Sequence, residues 1–392
     1  MESGLAQLGF LLFVAALVAI LTRRLHLPYT VGLVLAGMAL SFLQVQLHLH
    51  LSRDLIFSVF LPPLVFEAAL CINWRRFKRD LPLVMLLATV GVLLAAAVTA
   101  AGMHYAFGWD RGSAILFGVL IAATDPVSVI ATFKEAGVQG RLRLLIETES
   151  LLNDGTAAVA FVAVLSVLAG GHTDALSLSG TLLLAVGGGA LVGAAVAAGL
   201  MFLAGRAADP LVEITLTTIA AYGSFLLAER YHCSGVIAAM TAGLVVGNNR
   251  GVVGMSGTGH QALETFWEYA AFLANSLIFI LIGVQEAQQH FGGLWIPVGV
   301  GIALVTLGRA AAIYPLCALF AGSSLKVPPQ HQHILVWGGL RGALALALAL
   351  ALPADLAQHD AIVTITFAVV AFSVFVQGLT ITPLLRQMGE VK

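Results

Sequence analysis

Apolar residues run along this chain in long, nearly unbroken stretches, parted by short polar, glycine, proline or charged interruptions. A helix needs roughly 20 apolar residues to cross ~30 Å of hydrocarbon. Cutting at the interruptions gives thirteen candidate spans, at 5–22, 27–43, 53–71, 81–103, 112–133, 143–169, 176–204, 210–228, 233–247, 262–284, 294–320, 332–352 and 361–385. The pattern predicts an all-α membrane protein of thirteen transmembrane helices, a single membrane domain over residues 1–392 with no soluble domain and no long linker.

Charge placement tests that count independently, because cytoplasmic loops collect lysine and arginine. With the N-terminus outside, fourteen of the nineteen Lys and Arg residues fall in inside loops. Outside loops hold only Arg53, Arg111 and Arg230, while Arg309 and Arg341 stay within spans. A helix missed or added in the middle would scramble this bias. The expected protein is therefore multi-pass in the cell membrane, as an inner-membrane protein, with its N-terminus outside and its C-terminus cytoplasmic. An odd number of helices permits two inverted six-helix repeats joined by a linker, an arrangement that many secondary transporters use. The stretch 176–204 is the natural linker, and its Gly187-Gly188-Gly189 and Gly193 offer a face of small residues for close packing.

Composition agrees. Hydrophobic residues make up 59% and charged residues 10% of the 392, and mean hydropathy is +0.97. A soluble domain averages about 25% charged residues, so most of this surface must face lipid. A net charge of −1, with no basic run longer than that of Arg75-Arg76-Phe77-Lys78-Arg79, argues against a nucleic-acid partner. Cys71, Cys233 and Cys317 are far apart and show no ligand spacing. Arg23 and Arg24 follow the first apolar stretch rather than precede it, which predicts a retained helix and not a cleaved signal.

An ionisable group at mid-bilayer costs ~2.5–3.5 kcal/mol, so each one needs a reason. Most of the acids sit in loops or at span ends; the exceptions are Glu67, Asp125, Glu147, Glu149, Asp154 and Glu213, with Arg309 and Arg341 as their basic counterparts. Proline after aspartate in Thr124-Asp125-Pro126 predicts an unwound break, with carbonyls, the Thr124 hydroxyl and the Asp125 carboxylate turned into a cavity. Such hard oxygen ligands suit sodium; a plain proline kink with Asp125 paired to an arginine is the other reading. In Glu149-Ser150-Leu151-Leu152-Asn153-Asp154, Ser150 and Asp154 share one helix face, and Glu149 and Asn153 share the adjacent one. Apolar surroundings favour a carboxyl in its neutral form, which suits alternate occupancy by a proton or a cation. A polar packing seam is the competing reading. Glu67, in Leu61-Pro62-Pro63-Leu64-Val65-Phe66-Glu67, is either a lone intramembrane acid or a snorkelling one near a span end. Glycines around Arg341 in Gly338-Gly339-Leu340-Arg341-Gly342 predict a second broken helix, whose arginine would neutralise Glu149. Glu147 and Glu213 read as solvated rim residues. Histidines such as His48, His50, His331 and His333 read as solvated loop residues, with pH sensing the lesser reading. The partner of Arg309 stays open.

At these residues the sequence resembles the monovalent cation/proton antiporters, the family of bacterial NhaP-type and animal NHE-type sodium/proton exchangers. The likeness covers essentially the whole chain and is carried by Phe60-Leu61-Pro62-Pro63 through Glu67, Ala123-Thr124-Asp125-Pro126-Val127, Glu149 through Gly155, and Gly338 through Gly342. It implies a six-helix ion-translocating core at about 81–169 and 294–385, with the remaining helices as a dimerisation panel and the fifth and twelfth spans as discontinuous crossing helices. It further implies that Asp125 and Asp154 bind Na+ with Ser150, Thr124 and Glu67, that Asn153 positions Asp154, and that Glu149 pairs with Arg341. The Asn153-Asp154 pair implies electroneutral exchange of one Na+ (or Li+) for one H+, with no cofactor, by a homodimer. The expected function is that of a secondary antiporter of alternating access with one competitive carboxylate site. The alternative is potassium/proton exchange, since these ligands do not fix the ion's radius. A cation channel is a further rival. An enzyme is not expected, because the chain shows no nucleophile–base pair or metal motif.

Overall fold

Helix occupies each of the thirteen apolar stretches in the computed structural model, and no strand occurs among the described residues. The structure describes the chain apart from residues 1, 26, 46–50, 126–128, 130–132, 134–136, 171–174, 205–208, 250–256, 290–291 and 392. His48, His50, Pro126, Val127, Lys134, Arg206, Arg250 and Lys392, which the sequence argument used, therefore lie outside the described residues. In chain order the helices are α1 (Glu2–Leu25), α2 (Tyr29–Phe42), α3 (Leu61–Leu70), α4 (Trp74–Leu86), α5 (Val92–Phe107), α6 (Arg111–Ala122), α7 (Arg141–Leu168) and α8 (Ala175–Ala204). There follow α9 (Pro210–Arg230), α10 (Gly235–Asn249), α11 (Gly257–Glu286), α12 (Trp295–Ala318), α13 (Pro329–Trp337), α14 (Ala343–Leu350), α15 (His359–Phe372) and α16 (Gly378–Gln387). A widened π-turn at Leu87–Gly91 joins α4 to α5, and another at Ser373–Gln377 joins α15 to α16.

Among the described residues, eight helical runs are long and apolar enough to cross a bilayer, including Trp74–Phe107, Arg141–Leu168, Trp295–Ala318 and His359–Gln387. Tyr29–Phe42, Arg111–Ala122 and Gly235–Asn249 are apolar but shorter. The pattern of exposure is inverted relative to a water-soluble protein: Leu183 is 73% exposed, whereas Glu149 and Asn153 are 0% exposed. Large apolar side chains on the outside suit lipid, while polar and charged groups such as Glu149 and Asn153 are buried among apolar ones.

The chain divides into two compact units. The first comprises Met1–Ile56, Pro82–Ala157 and Ser276–Lys392. Within it α5 and α6 form an antiparallel pair. Gly108, at φ +64°, ends α5 in a left-handed conformation that favours glycine, and the Asp110 carboxylate caps α6 by accepting the Ser113 N–H at 2.9 Å. Helix α12 packs on α5 through Gly308, where a Cβ would stand 2.8 Å from the Ala95 carbonyl oxygen. Helices α14 and α15 pack on α6, and α15 also packs on α12.

The second unit comprises Phe57–Leu81 and Ala158–Asn275. Helix α10 packs against α3, α8 and α9. Three of the small residues expected to pack closely do so: a Cβ on Gly188 would collide with Cys233 Sγ, one on Gly189 would lie 2.6 Å from the Ser234 carbonyl oxygen, and one on Gly193 would lie 2.9 Å from the Ala238 carbonyl carbon. Phe66 and Trp267 (ring centroids 4.4 Å apart) centre the apolar core, and the Trp267 Nε1–H donates to Thr217 Oγ1 at 3.1 Å. Gly193→Val is therefore expected to force α8 and α10 apart, at a cost of ~1–3 kcal/mol. Gly199 on the same helix has nothing within 4 Å of an added Cβ, so Gly199→Ala should be neutral or gain up to ~1 kcal/mol. Thermal unfolding of the two variants in detergent checks the contrast.

Candidate functional site

Two interruptions of helix meet in the first unit. Helix α6 ends at Ala122, and residues 123–125 are non-helical, as the sequence predicts for the segment ahead of Pro126. Helix α13 ends at Trp337, and α14 begins only at Ala343. The freed backbone groups answer one another, since the Asp125 N–H donates to the Leu340 carbonyl at 2.7 Å. Unwound backbone at membrane depth persists only where protein satisfies it. Glycine is required at this crossing: a Cβ on Gly342 would stand 2.6 Å from Cβ and Cγ of Asp125. One on Gly339 would stand 2.8 Å from Arg309 Nε.

Helix α7 supplies the rest. Asn153 donates from Nδ2 to Thr124 Oγ1 at 2.6 Å and to Glu149 Oε1 at 3.0 Å, and its Oδ1 accepts the Thr124 N–H at 3.1 Å. The Thr124 and Ser150 hydroxyls are 2.9 Å apart. Asn153 thus clamps the α6 break to α7 and makes no hydrogen bond to Asp154, a role different from the expected positioning of that aspartate. Asp154 itself is 4% exposed, and its Oδ1 has no hydrogen-bond partner among the described residues. Asp125, half-buried, and Glu149 lie within electrostatic reach of it.

The expected bridge from Glu149 to Arg341 is not the one that forms. Arg309 grips Glu149 in a two-pronged fork, Nη1 to Oε1 and Nη2 to Oε2, each at 2.7 Å. Its Nε–H donates to the Leu335 carbonyl at 3.3 Å. Arg341 instead ties backbone: its Nε–H donates to the Ile121 carbonyl at 2.9 Å and its Nη1 to the Gly339 carbonyl. The reason is geometric. Position 341 lies inside the break, where unpaired carbonyls of both interrupted helices are nearest, whereas Arg309 reaches past Gly339 from the continuous helix α12.

Other acids also differ from expectation. Glu147, read as a solvated rim residue, is 9% exposed and accepts from Arg143 Nε one turn back. Glu213, read the same way, is 1% exposed in the second unit. Glu67 sits half-buried on α3 in that unit, amid fully buried neighbours. Glu286 escaped the sequence argument because it lies just beyond the stretch 262–284. It is 5% exposed, and its Oε1 lacks a hydrogen-bond partner among the described residues. His331 and His333 are not loop residues: they open α13, with His331 Nε2 2.8 Å from Glu390 Oε1 and His333 Nδ1 2.7 Å from the Tyr314 hydroxyl.

The chemistry on offer is a pair of aspartates and two hydroxyls beside crossed, unwound backbone, hard oxygen donors that suit a small cation. Comparison with known proteins agrees. The family of sodium/hydrogen exchangers (transmembrane region) matches residues 11–387. The Na(+)/H(+) antiporter ApNhaP of Aphanothece halophytica is 39% identical over 398 residues, covering 100% of this chain and 75% of that protein. The Na(+)/H(+) antiporter NhaH of Halobacillus aidingensis is 32% identical, covering 98% of this chain and 97% of its own length. Among solved structures, the sodium proton antiporter MjNhaP1 of Methanocaldococcus jannaschii shares the fold at TM-score 0.75 and 19% identity, over 99% of this chain and 97% of that one. By sequence over essentially its whole length, and in keeping with its fold, this chain belongs to the sodium/hydrogen exchanger family.

Proposed function

We propose that this protein exchanges sodium (or lithium) for protons, one for one and electroneutrally, by alternating access to a single site where proton and cation compete. Asp125 and Asp154 are the charged ligands, and Ser150 and Thr124 add neutral oxygens. The observation that carries this reading is the Asp154 carboxylate, buried with one oxygen unpartnered among the described residues, beside the meeting point of two helix breaks. A bare carboxylate in that position is costly, and a proton or a sodium ion removes the cost. Only the neutralised core then crosses the apolar barrier, so uncoupled leak is suppressed. Like the rest of its family the protein is a transporter and not an enzyme, and exchange needs no cofactor.

The wider architecture follows the same reading. Thirteen spans form two inverted repeats, with the N-terminus outside and the C-terminus cytoplasmic. The core of about 81–169 and 294–385 moves as a body, and 176–204 links the repeats. The remaining helices form the homodimer interface in the cell's inner membrane.

Cation-dependent proton flux in proteoliposomes tests the function. Sodium and lithium should each drive flux without generating a membrane potential. Flux driven by potassium alone would make it a potassium/proton exchanger, and ohmic conductance without proton counter-movement would make it a channel. A membrane potential generated by exchange would overturn the one-for-one stoichiometry.

A further inference from the structure

Glu147 is buried with little among the described residues to offset the cost. The carboxylate is 9% exposed, and its hydrogen-bond partner is Arg143, an i,i+4 neighbour whose side chain is 30% exposed. Such a pair stabilises a helix far less than burying a carboxylate costs.

Position along the helix supplies a reason. Residues seven apart on an α-helix differ by only about 20° around the axis and stand about 10.5 Å apart along it. Arg143, Glu147, Ser150 and Asp154 therefore form one stripe on α7, separate from the stripe of Glu149 and Asn153 that holds Arg309 and Thr124. The stripe ends at the Asp154 carboxyl, whose Oδ1 is buried and unpartnered. Its other end is fixed: Arg141 Nη1 and Nη2 donate to the carbonyls of Lys326 and Leu325 at 2.7 and 2.8 Å, anchoring the start of α7 to the segment before α13.

We propose that Glu147 is the approach carboxylate of the ion site. A monovalent cation arriving from the Arg141 end of α7 displaces Arg143, is held by Glu147, and passes along the stripe to Ser150 and Asp154. Glu147 is thus a positioning residue that raises the local cation concentration on one side of the membrane. This inference rests on the exchange reading given above and deepens it.

The test is sodium-driven proton flux in vesicles of each orientation, so that sodium is offered to one face at a time. Removing a focusing carboxylate should lower local cation concentration by about tenfold. Glu147→Gln is therefore expected to raise the apparent KM for sodium about tenfold on the Arg141 face alone, with kcat within about twofold of the parent. Glu147→Asp should restore the KM. Arg143→Gln, which removes the competing cation, should lower KM on that same face. An unchanged KM for Glu147→Gln, an equal shift on both faces, or a loss confined to kcat would overturn the proposal. Should Glu147→Gln fail to reach the membrane, Arg143→Gln decides: no fall in KM overturns it. A parent protein that shows no sodium-dependent flux would instead overturn the exchange reading itself.

Discussion

Asp154→Asn is expected to abolish sodium-driven proton flux while leaving the protein as stable as its parent, or more so. The two halves of this expectation have one cause. Asp154 Oδ1 has no hydrogen-bond partner among the described residues, and the residue is 4% exposed. An isosteric amide there removes a buried charge and breaks no mapped bond. Groups strained for function commonly trade stability for activity, and relieving one gains ~0.5–2 kcal/mol. Without the carboxyl, the site can neither carry a proton nor neutralise a cation, so exchange stops and is not merely slowed. Flux in proteoliposomes and thermal unfolding in detergent read the two halves separately. Parental flux in Asp154→Asn or Asp154→Ala would remove Asp154 from the site. Lost flux accompanied by a large drop in stability would mean that its role is structural.

Arg309→Met carries the second large effect, in the opposite sense. Arg309 holds both oxygens of Glu149, and that carboxylate is 0% exposed. Removing one partner of a buried pair leaves an uncompensated charge, at ~3–5 kcal/mol. The variant is expected to unfold far below the parent or to fail to accumulate in the membrane. Arg309→Lys should rescue little, because an ammonium cannot reproduce the planar fork. The double change Arg309→Met with Glu149→Leu should recover most of the stability, since it leaves neither charge buried alone. Arg341→Met loses bonds to the Ile121 and Gly339 carbonyls instead. Its stability loss should therefore depend on Glu149 far less than that of Arg309→Met does. Thermal unfolding of these variants forms a double-mutant cycle: measurable coupling between Glu149 and Arg341 that exceeds the coupling between Glu149 and Arg309 would contradict the observed fork.

Much of the site could be read in advance because its logic is local. Proline after Asp125 and glycine on either side of Arg341 interrupt helices through their own backbone chemistry. The stripe of Ser150 and Asp154 and that of Glu149 and Asn153 follow from helix period alone, and both survive in the fold. What differs concerns how separate elements pack on one another. The predicted break around Arg341 suggests it as the partner of Glu149, yet the bond is made by Arg309 from a continuous helix. Nearness to span ends suggests solvated carboxylates at Glu147 and Glu213, whereas both are buried.

The sequence by itself determined that this protein lives in a membrane, where its helices lie, and where two of them break. Those properties depend on the hydropathy of contiguous residues and on the backbone limits of proline and glycine, which act within a turn or two. Tertiary structure alone decided which arginine neutralises Glu149, that Asn153 clamps Thr124, and that Asp154 is left with an unanswered oxygen. Those outcomes depend on how separate helices are rotated and stacked, and a shift of one residue in register would exchange every partner.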